Sequence, residues 1–339
     1  MYDVVILTLE EPRSGCGSAC GCGAPAPEAD GCATGEKDHD CAGDCGTCEN
    51  RPRTPVLHCA DALTAAGARV ETVTAYADAE IDAVLARFDA PASPDGLRRP
   101  DPEAKRRLVL AVASDGQLSH VVYRMVRRWA PPPSKRPADL PDGRTVFDLP
   151  PLAVLPLDRS ASGDLAGRLG LARNPADVAR AVLSDDVRRF DLLRHDGGAV
   201  TVDGALLGAA DQYGRFVPWR GRVEVDDHVL ADGEEQVLAC TIAVADGYAE
   251  VGGMTLVAAP DPADGVVDVA VAVPVIEKKL FGRDKQRIEV RRARGRAVAV
   301  TPRLPADDLT LPYVEDGVTG DLTRKRSWWI ERQAWAVHV

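Results

Sequence analysis

The chain has 339 residues, of which 45% are hydrophobic and 27% charged, and its formal net charge is −11. This length is sufficient for two domains with cores of their own. The acidic balance argues against a nucleic-acid-binding protein, which usually carries a basic face, and against permanent adhesion to an anionic membrane. No stretch approaches the roughly 20 apolar residues of a membrane span, and the N-terminus shows no signal-peptide pattern. We therefore expect a cytoplasmic protein.

The first half of the chain alternates between strands and helices. Short apolar runs predict strands at residues 2–9, 108–113 and 152–157, and alternation of polar and apolar residues predicts one at 69–75. Amphipathic or well-capped segments predict helices at residues 54–66, 78–88, 118–129, 165–169 and 175–183. A βαβαβ series predicts a doubly wound, Rossmann-like α/β domain with a parallel sheet, over residues 1–185.

Two polar features of this half look solvent-exposed. Arg124, Arg127 and Arg128 fall on the polar side of the third helix. Residues 130–150 are too rich in proline for a regular element and are predicted to form an exposed excursion.

The second half of the chain contains strand patterns only. After about residue 186, short alternating or apolar runs follow one another between Gly and Asp turns. Strands at this density predict an antiparallel β-sandwich domain over residues 186–321. The last segment, 322–339, contains both apolar and polar residues, and we expect it to pack back on the first domain.

A cysteine-rich insertion over residues 16–52 interrupts the first domain and lacks hydrophobic periodicity. Two groups are close enough in sequence for several thiolates to reach one metal ion: Cys16, Cys20 and Cys22, and Cys41, Cys45 and Cys48. Disulfides are unfavourable in a cytoplasm. Two alternatives stay open. The insertion binds a metal, with zinc favoured over an iron–sulfur cluster, or it is a thiol-bearing loop without metal.

A candidate ligand site follows the third strand. The run 108–113 ends in Ser114-Asp115-Gly116, and a helix follows. A tight turn before a helix brings free N–H groups together and suits a phosphate. It is also the geometry of any βα unit, in which Asp115 would serve as a turn or cap residue.

Motifs in a fixed order give the chain a family resemblance. The sequence is similar to the diacylglycerol kinase catalytic-domain family, including its bacterial and sphingosine kinase branches. The family motifs N-P-x-S-G, G-G-D-G-T, P-L-G-T-G-N-D-F-A-R-x-L-G, G-G-G-M, A-P-x-A and D-G-x-L-D-V have counterparts here at residues 11–15, 113–117, 156–170, 252–254, 259–261 and 264–269. The family's late D-G-E has Asp316-Gly317-Val318 as its nearest match.

The resemblance implies an ATP- and Mg²⁺-dependent kinase that acts on a lipid hydroxyl at a membrane surface, which it would visit transiently. It implies catalytic roles for Asp115 and Asp316. The nucleotide-binding residues that it implies are Ser14, Gly15, Ser114, Asp115, Gly116, Gln117, Ser162, Gly163 and Asp164. Asp264 and Asp268 are candidates either for Mg²⁺ or for a turn. A homodimer is compatible with the sequence.

Several departures weaken the expected chemistry. Ala113 and Ser114 replace two glycines of the nucleotide loop, Gln117 replaces its threonine, and Val318 stands where the family has Glu. Asp158 and Arg159 replace Gly and Thr in the second loop. Side chains in such loops narrow the space for phosphates. The alternative hypothesis is a catalytically degenerate kinase-fold protein that acts as a metal-sensing, thiol-sensing or ligand-binding regulator.

Overall fold

The computed structural model describes residues 2–10, 53–158, 163–208, 216–277, 285–306 and 309–339. In the first half the strands are β1 (Asp3–Leu9), β2 (Arg69–Ala75), β3 (Arg106–Val112) and β4 (Leu152–Pro156). The helices are α1 (Arg53–Ala65), α2 (Asp78–Leu85), α3 (Asp115–Trp129), α4 (Leu165–Arg168) and α5 (Pro175–Leu183). The strands pair in parallel in the order β2-β1-β3-β4.

Strands β1, β3 and β4 are buried on both faces, as their continuous apolar runs predict. Alternate residues of β1 face opposite ways: Val4 and Ile6 pack with α1 and α5, whereas Val5 and Leu7 pack on the side of α2 and α3. Helices on both faces make the domain doubly wound, which confirms the predicted fold class.

The second half is formed by strands. They are β5 (Val187–His195), β6 (Val200–Thr201), β7 (Gly204–Leu207), β8 (Gly221–Val225), β9 (His228–Asp232), β10 (Ala239–Ala243), β11 (Glu250–Val251), β12 (Met254–Thr255), β13 (Val267–Glu277), β14 (Lys285–Gly295), β15 (Ala297–Pro302), β16 (Leu311–Glu315), β17 (Val318–Leu322) and β18 (Arg326–His338). One antiparallel sheet has the order β14-β13-β10-β7-β16-β17. It packs over β18, β15, β8 and β9 through a shared apolar core.

Strand β18 connects the two halves. It pairs antiparallel with β5 and β15, and Val337 near its end pairs in parallel with Leu152 of β4. The parallel strands and one sheet of the sandwich are thus continuous. No helix among the described residues is long and apolar enough to cross a bilayer.

Two expectations about exposure are wrong. Arg124 is buried and pairs with Asp78 and Asp82 of α2, because the polar side of α3 faces a neighbouring acidic helix. The proline-rich excursion buries Val146 and Leu149 in the first-domain core. Proline removes regular hydrogen bonding from this segment, but apolar side chains still hold it against the domain.

Candidate active site

The candidate site lies at the carboxyl edge of the parallel sheet, where β3 and β4 lead into α3 and α4. Asp115 is the first residue of α3, and Asp164 precedes α4. The carboxyl ends of adjacent parallel strands meet at one edge, which is where open α/β sheets bind ligands. The structure therefore brings together two of the predicted acidic residues.

The loop before α3 satisfies part of its own hydrogen-bonding capacity. Ser114 is the helix cap: its hydroxyl accepts the N–H of Gln117 at 3.3 Å. The side-chain oxygen of Gln117 in turn accepts the N–H of Ala113 at 2.8 Å. Two backbone donors of the loop are thus used internally, which leaves fewer for a phosphate than a glycine loop would offer.

Asp115 connects the two helix starts. Its two carboxylate oxygens lie 3.0 and 3.1 Å from the N–H of Leu165, the first residue of α4. The Arg168 guanidinium donates to the same carboxylate at 3.0 Å. The Asp115 side chain is 21% exposed, so it stays accessible from the cleft between the two domains.

Asp164 caps α4. Its carboxylate accepts the N–H of Gly167 at 2.8 Å and pairs with Arg173. This position fits the structural role of a helix cap. Its side chain is 18% exposed and also faces a small cavity lined by Ser114, Asp115 and Asp158. A cap and a ligand contact are compatible at this residue.

Arg168 joins the two domains through carboxylates on both sides of the cleft. One of its terminal nitrogens donates to Asp115 of the first domain and to Asp203 of the second. Its Nε lies 3.4 Å from Asp246. Asp203 is 2% exposed and accepts the N–H of Gly247 at 3.0 Å. Burial raises the pKa of Asp203 to about 6, although the Arg168 charge acts in the opposite direction.

Asp316 and Gly317 form the turn of the β16–β17 hairpin. Both have positive φ angles, +47° and +79°, which is the conformation of a type I′ turn with an Asp-Gly sequence. The Asp316 carboxylate accepts the N–H groups of Val202, Asp203 and Gly204 at 2.8, 3.0 and 3.2 Å. Burial and nearby acids raise the pKa of Asp316, against the effect of these donors.

The hairpin turn lies directly over the loop before α3. A Cβ atom added to Gly116 would lie 2.8 Å from Cγ2 of Val318 and 3.3 Å from the carbonyl oxygen of Asp316. Gly116 is therefore required for close packing of the two loops, whatever it contributes to phosphate binding. The N–H of Gly317 donates to the Tyr248 hydroxyl at 2.7 Å. Val318, at the position of the family's Glu, is 56% exposed at this contact.

Other predicted residues lie elsewhere. Asp264 and Asp268 both pair with Arg294 of β14, and their role as Mg²⁺ ligands stays a prediction. Several predicted residues lie outside the described part of the chain: Ser14, Gly15, Cys16, Cys20, Cys22, Cys41, Cys45, Cys48 and Ser162. The predicted zinc and part of the predicted nucleotide site stay predictions.

Sequence reasoning missed the residues that close the cleft. The sequence does not predict Arg168, Asp203 or Tyr248 as site residues, although Arg168 lies within the family motif at residues 156–170. Asp203 is the middle residue of a Val-Asp-Gly turn and carries no local signal for a role at a distance. Only the packing of one domain on the other brings Asp203 and Tyr248 close to Asp115.

The donor set fits Mg²⁺ in the mode that nucleotide enzymes use. No group of three or more His, Cys, Asp or Glu side chains arranged for a metal occurs in the described ranges. Mg²⁺ is usually held by one or two carboxylates together with substrate phosphates and water, so such a cluster is not required. Asp115 and Asp164 are the partly exposed carboxylates at the sheet edge that match this description.

Solved structures with this architecture define its fold. No protein-family model and no curated protein matches the sequence. A crystal structure described as a diacylglycerol kinase from Bacillus anthracis str. Sterne has a TM-score of 0.54 and 13% identity, with 99% of this chain and 96% of that chain covered. Two candidate diacylglycerol kinases from the same organism each have a TM-score of 0.55, with 12% and 11% identity. They cover 99% of this chain, and 97% and 96% of their own lengths are covered.

The chain therefore has the two-domain fold of the diacylglycerol kinases, a lipid-kinase fold. The resemblance drawn from the order of the motifs is confirmed at the level of the fold.

Proposed function

We propose that this chain is an ATP- and Mg²⁺-dependent lipid kinase that transfers a phosphoryl group to a lipid hydroxyl. The observation that carries the proposal is the position of Asp115. This partly exposed carboxylate lies at the carboxyl edge of the parallel sheet, in contact with a cationic residue that faces the second domain. A carboxylate for the metal beside a cation for phosphate oxygens, where two domains meet, provides elements that phosphoryl transfer requires.

Each residue of the site has a distinct role in this proposal. Bound MgATP would supply the phosphoryl group and the metal charge that offsets its oxygens. Asp115 and Asp164 would hold the metal, and Arg168 would present its guanidinium to the phosphates. Asp203 and Asp316 are too buried to reach a substrate and act as positioning residues for Arg168 and for the 202–204 turn.

The proposed kinase is a slow one. The described site has no carboxylate at residue 318, where the family has Glu to serve the acceptor hydroxyl. A general base typically contributes about 10²–10⁴-fold to rate. Phosphoryl transfer depends chiefly on positioning and electrostatic stabilisation, so loss of the base lowers the rate without removing the reaction.

The direct test is transfer of label from γ-labelled ATP to a panel of hydroxyl-bearing lipids, with diacylglycerol first, in vesicles with and without anionic lipid. We expect slow, Mg²⁺-dependent labelling that Asp115→Asn reduces by at least about 100-fold, because the variant lacks the charge that would hold the metal. Asp227→Asn is the matched control, since Asp227 is exposed in the β8–β9 turn. Absence of label in every lipid, at any Mg²⁺ concentration, would contradict the proposal.

A second candidate is a ligand-binding regulator that does not transfer phosphate. Two observations favour it: the Val318 side chain packs against Gly116, and the loop before α3 uses two of its donors in internal hydrogen bonds. This candidate predicts that the protein binds a nucleotide but labels no lipid, even as the Val318→Glu variant. Elemental analysis of the full chain tests its metal-sensing form, which requires zinc at a stoichiometric level.

A further inference from the structure

An apolar cavity of about 600 Å³ opens in the second domain, at the other end of β16 from the carboxylate cluster of Asp115, Asp203 and Asp316. Its wall comes from the residues before β8, from the segment between β15 and β16, and from Gln236. Strand β16 runs from Leu311 at the cavity to Glu315 beside the cluster, so about 13 Å of strand separates the two locations. The proposed kinase reaction does not use this cavity.

Apolar side chains dominate the wall. Trp219 and Leu304 line the cavity and pack against the core between the two sheets. Val217 and Leu309 also line it and are 50% and 44% exposed. A cavity of this size with a mostly apolar wall and few polar groups is typical of small-molecule sites. It suits a hydrocarbon body better than a sugar or a base.

Two cationic side chains stand among these apolar residues. Arg303 pairs with Glu234, whereas Arg220 is exposed and has no carboxylate partner within the described ranges. An exposed guanidinium beside an apolar cavity, without a carboxylate partner among the described residues, suits an anionic group on a ligand.

We propose that this cavity binds a single-chain anionic amphiphile, with its acyl chain between Val217, Leu304 and Leu309 and its head group at Arg220. The acyl chain would cover side chains that now face water. A guanidinium accepts a carboxylate or a phosphate in the same fork geometry, so the head group is either a fatty-acid carboxylate or a monoalkyl phosphate.

Calorimetric titration of the full chain tests the proposal, with decanoic acid, decyl phosphate and uncharged 1-decanol, each below its aggregation concentration. We expect one molecule of either anion per chain and weaker binding of the alcohol. The tighter of the two anions identifies the head group. Leu309→Asp should weaken binding at least about tenfold, because it places a charge in the wall. Arg220→Gln should weaken it about two- to fivefold, the range of an exposed ion pair.

The controls separate this site from the cleft. Arg287→Gln changes an exposed arginine of β14 outside the cavity and should leave binding unchanged, as should Asp115→Asn. No saturable binding of either anion would overturn the proposal, and so would binding that neither Leu309→Asp nor Arg220→Gln weakens. Dimerisation that Leu309→Asp abolishes, without anion binding, would assign the surface to a second copy of the chain and overturn it too.

Discussion

The two walls of the cleft use their carboxylates differently. On the first-domain wall, Asp115 and Asp164 keep 21% and 18% side-chain exposure and lie at helix starts. On the second-domain wall, Asp203 and Asp316 are 2% and 1% exposed and accept backbone N–H groups. The first wall keeps partly exposed carboxylates, whereas the carboxylates of the second wall hold turns in place.

This difference separates chemistry from architecture among residues to which the family motifs assign the same catalytic role. Asp316 belongs to the match with D-G-E, yet its carboxylate is committed to three backbone donors. Asp115 belongs to the nucleotide loop and keeps an accessible oxygen surface. The comparison predicts that changes on the second wall alter stability, and that changes on the first wall alter ligand binding and turnover.

The largest expected effect is on stability. Asp316→Ala removes the acceptor for three buried N–H groups, and each unsatisfied buried donor costs about 1–3 kcal/mol. We expect the free energy of unfolding in urea to fall by about 3 kcal/mol or more. Asp227→Ala, in the exposed β8–β9 turn, is the control and should change it by less than about 0.5 kcal/mol. Equal effects of the two variants would show that Asp316 does not hold the second wall.

The next effect is on turnover. Val318→Glu places a carboxylate over the nucleotide loop, at the position that carries the family's Glu. We expect lipid phosphorylation to rise at least about tenfold, toward the contribution of a general base. Thr319→Glu adds the same charge on the opposite face of β17 and should not raise the rate. A rise in both variants, or in neither, would contradict the assignment of residue 318 to the acceptor side.

A smaller effect is expected on the pH dependence of stability. The pKa of Asp203 is raised to about 6 in the folded protein from an ordinary value of 3.8. The folded state therefore binds the proton more tightly, so this residue's contribution is fully present below pH 3.8 and is lost as pH rises through 6. Burial lowers the pKa of His338 from 6.5 to about 4, which changes stability in the opposite direction over an overlapping range.

The Asp203 contribution is isolated by difference. Titration of Asp203 should lower the wild-type free energy of unfolding by about 1–3 kcal/mol between pH 4 and 6. We expect Asp203→Asn to abolish this contribution. The measurement is a series of urea unfolding curves at fixed ionic strength. Wild-type and variant profiles that run parallel over this range would show that Asp203 does not titrate there.

The smallest effect concerns the nucleotide loop. Gln117→Thr removes the side chain that accepts the N–H of Ala113 and frees this donor for a phosphate. One additional hydrogen bond predicts roughly a threefold to tenfold gain in affinity for MgATP. Gln236→Thr, far from the loop, is the control. An unchanged affinity would mean that the Ala113 donor does not face the nucleotide.

The sequence was sufficient for the parallel domain because its signals are local. The apolar runs around Val109 and Val154 predicted buried strands, and the capped segment 175–183 predicted α5 with its observed bounds. The β16–β17 hairpin was missed, although Asp316-Gly317 is a strong type I′ signal, because these residues were interpreted through the family motif. Arg124 was misplaced because its partners Asp78 and Asp82 lie on another helix. The links from Arg168 to Asp203 and Asp246 depend on the docking of two domains, which no local pattern encodes.

The most direct test of the central claim is calorimetric titration of the full chain with ATP, with and without Mg²⁺, in wild type and in Asp115→Ala. We expect one ATP to bind per chain in the presence of Mg²⁺ and ATP to bind more weakly without it. In the variant, the affinity for ATP should fall at least about tenfold. Equal affinity of wild type and variant, or no binding of ATP under either condition, would contradict a nucleotide site at Asp115.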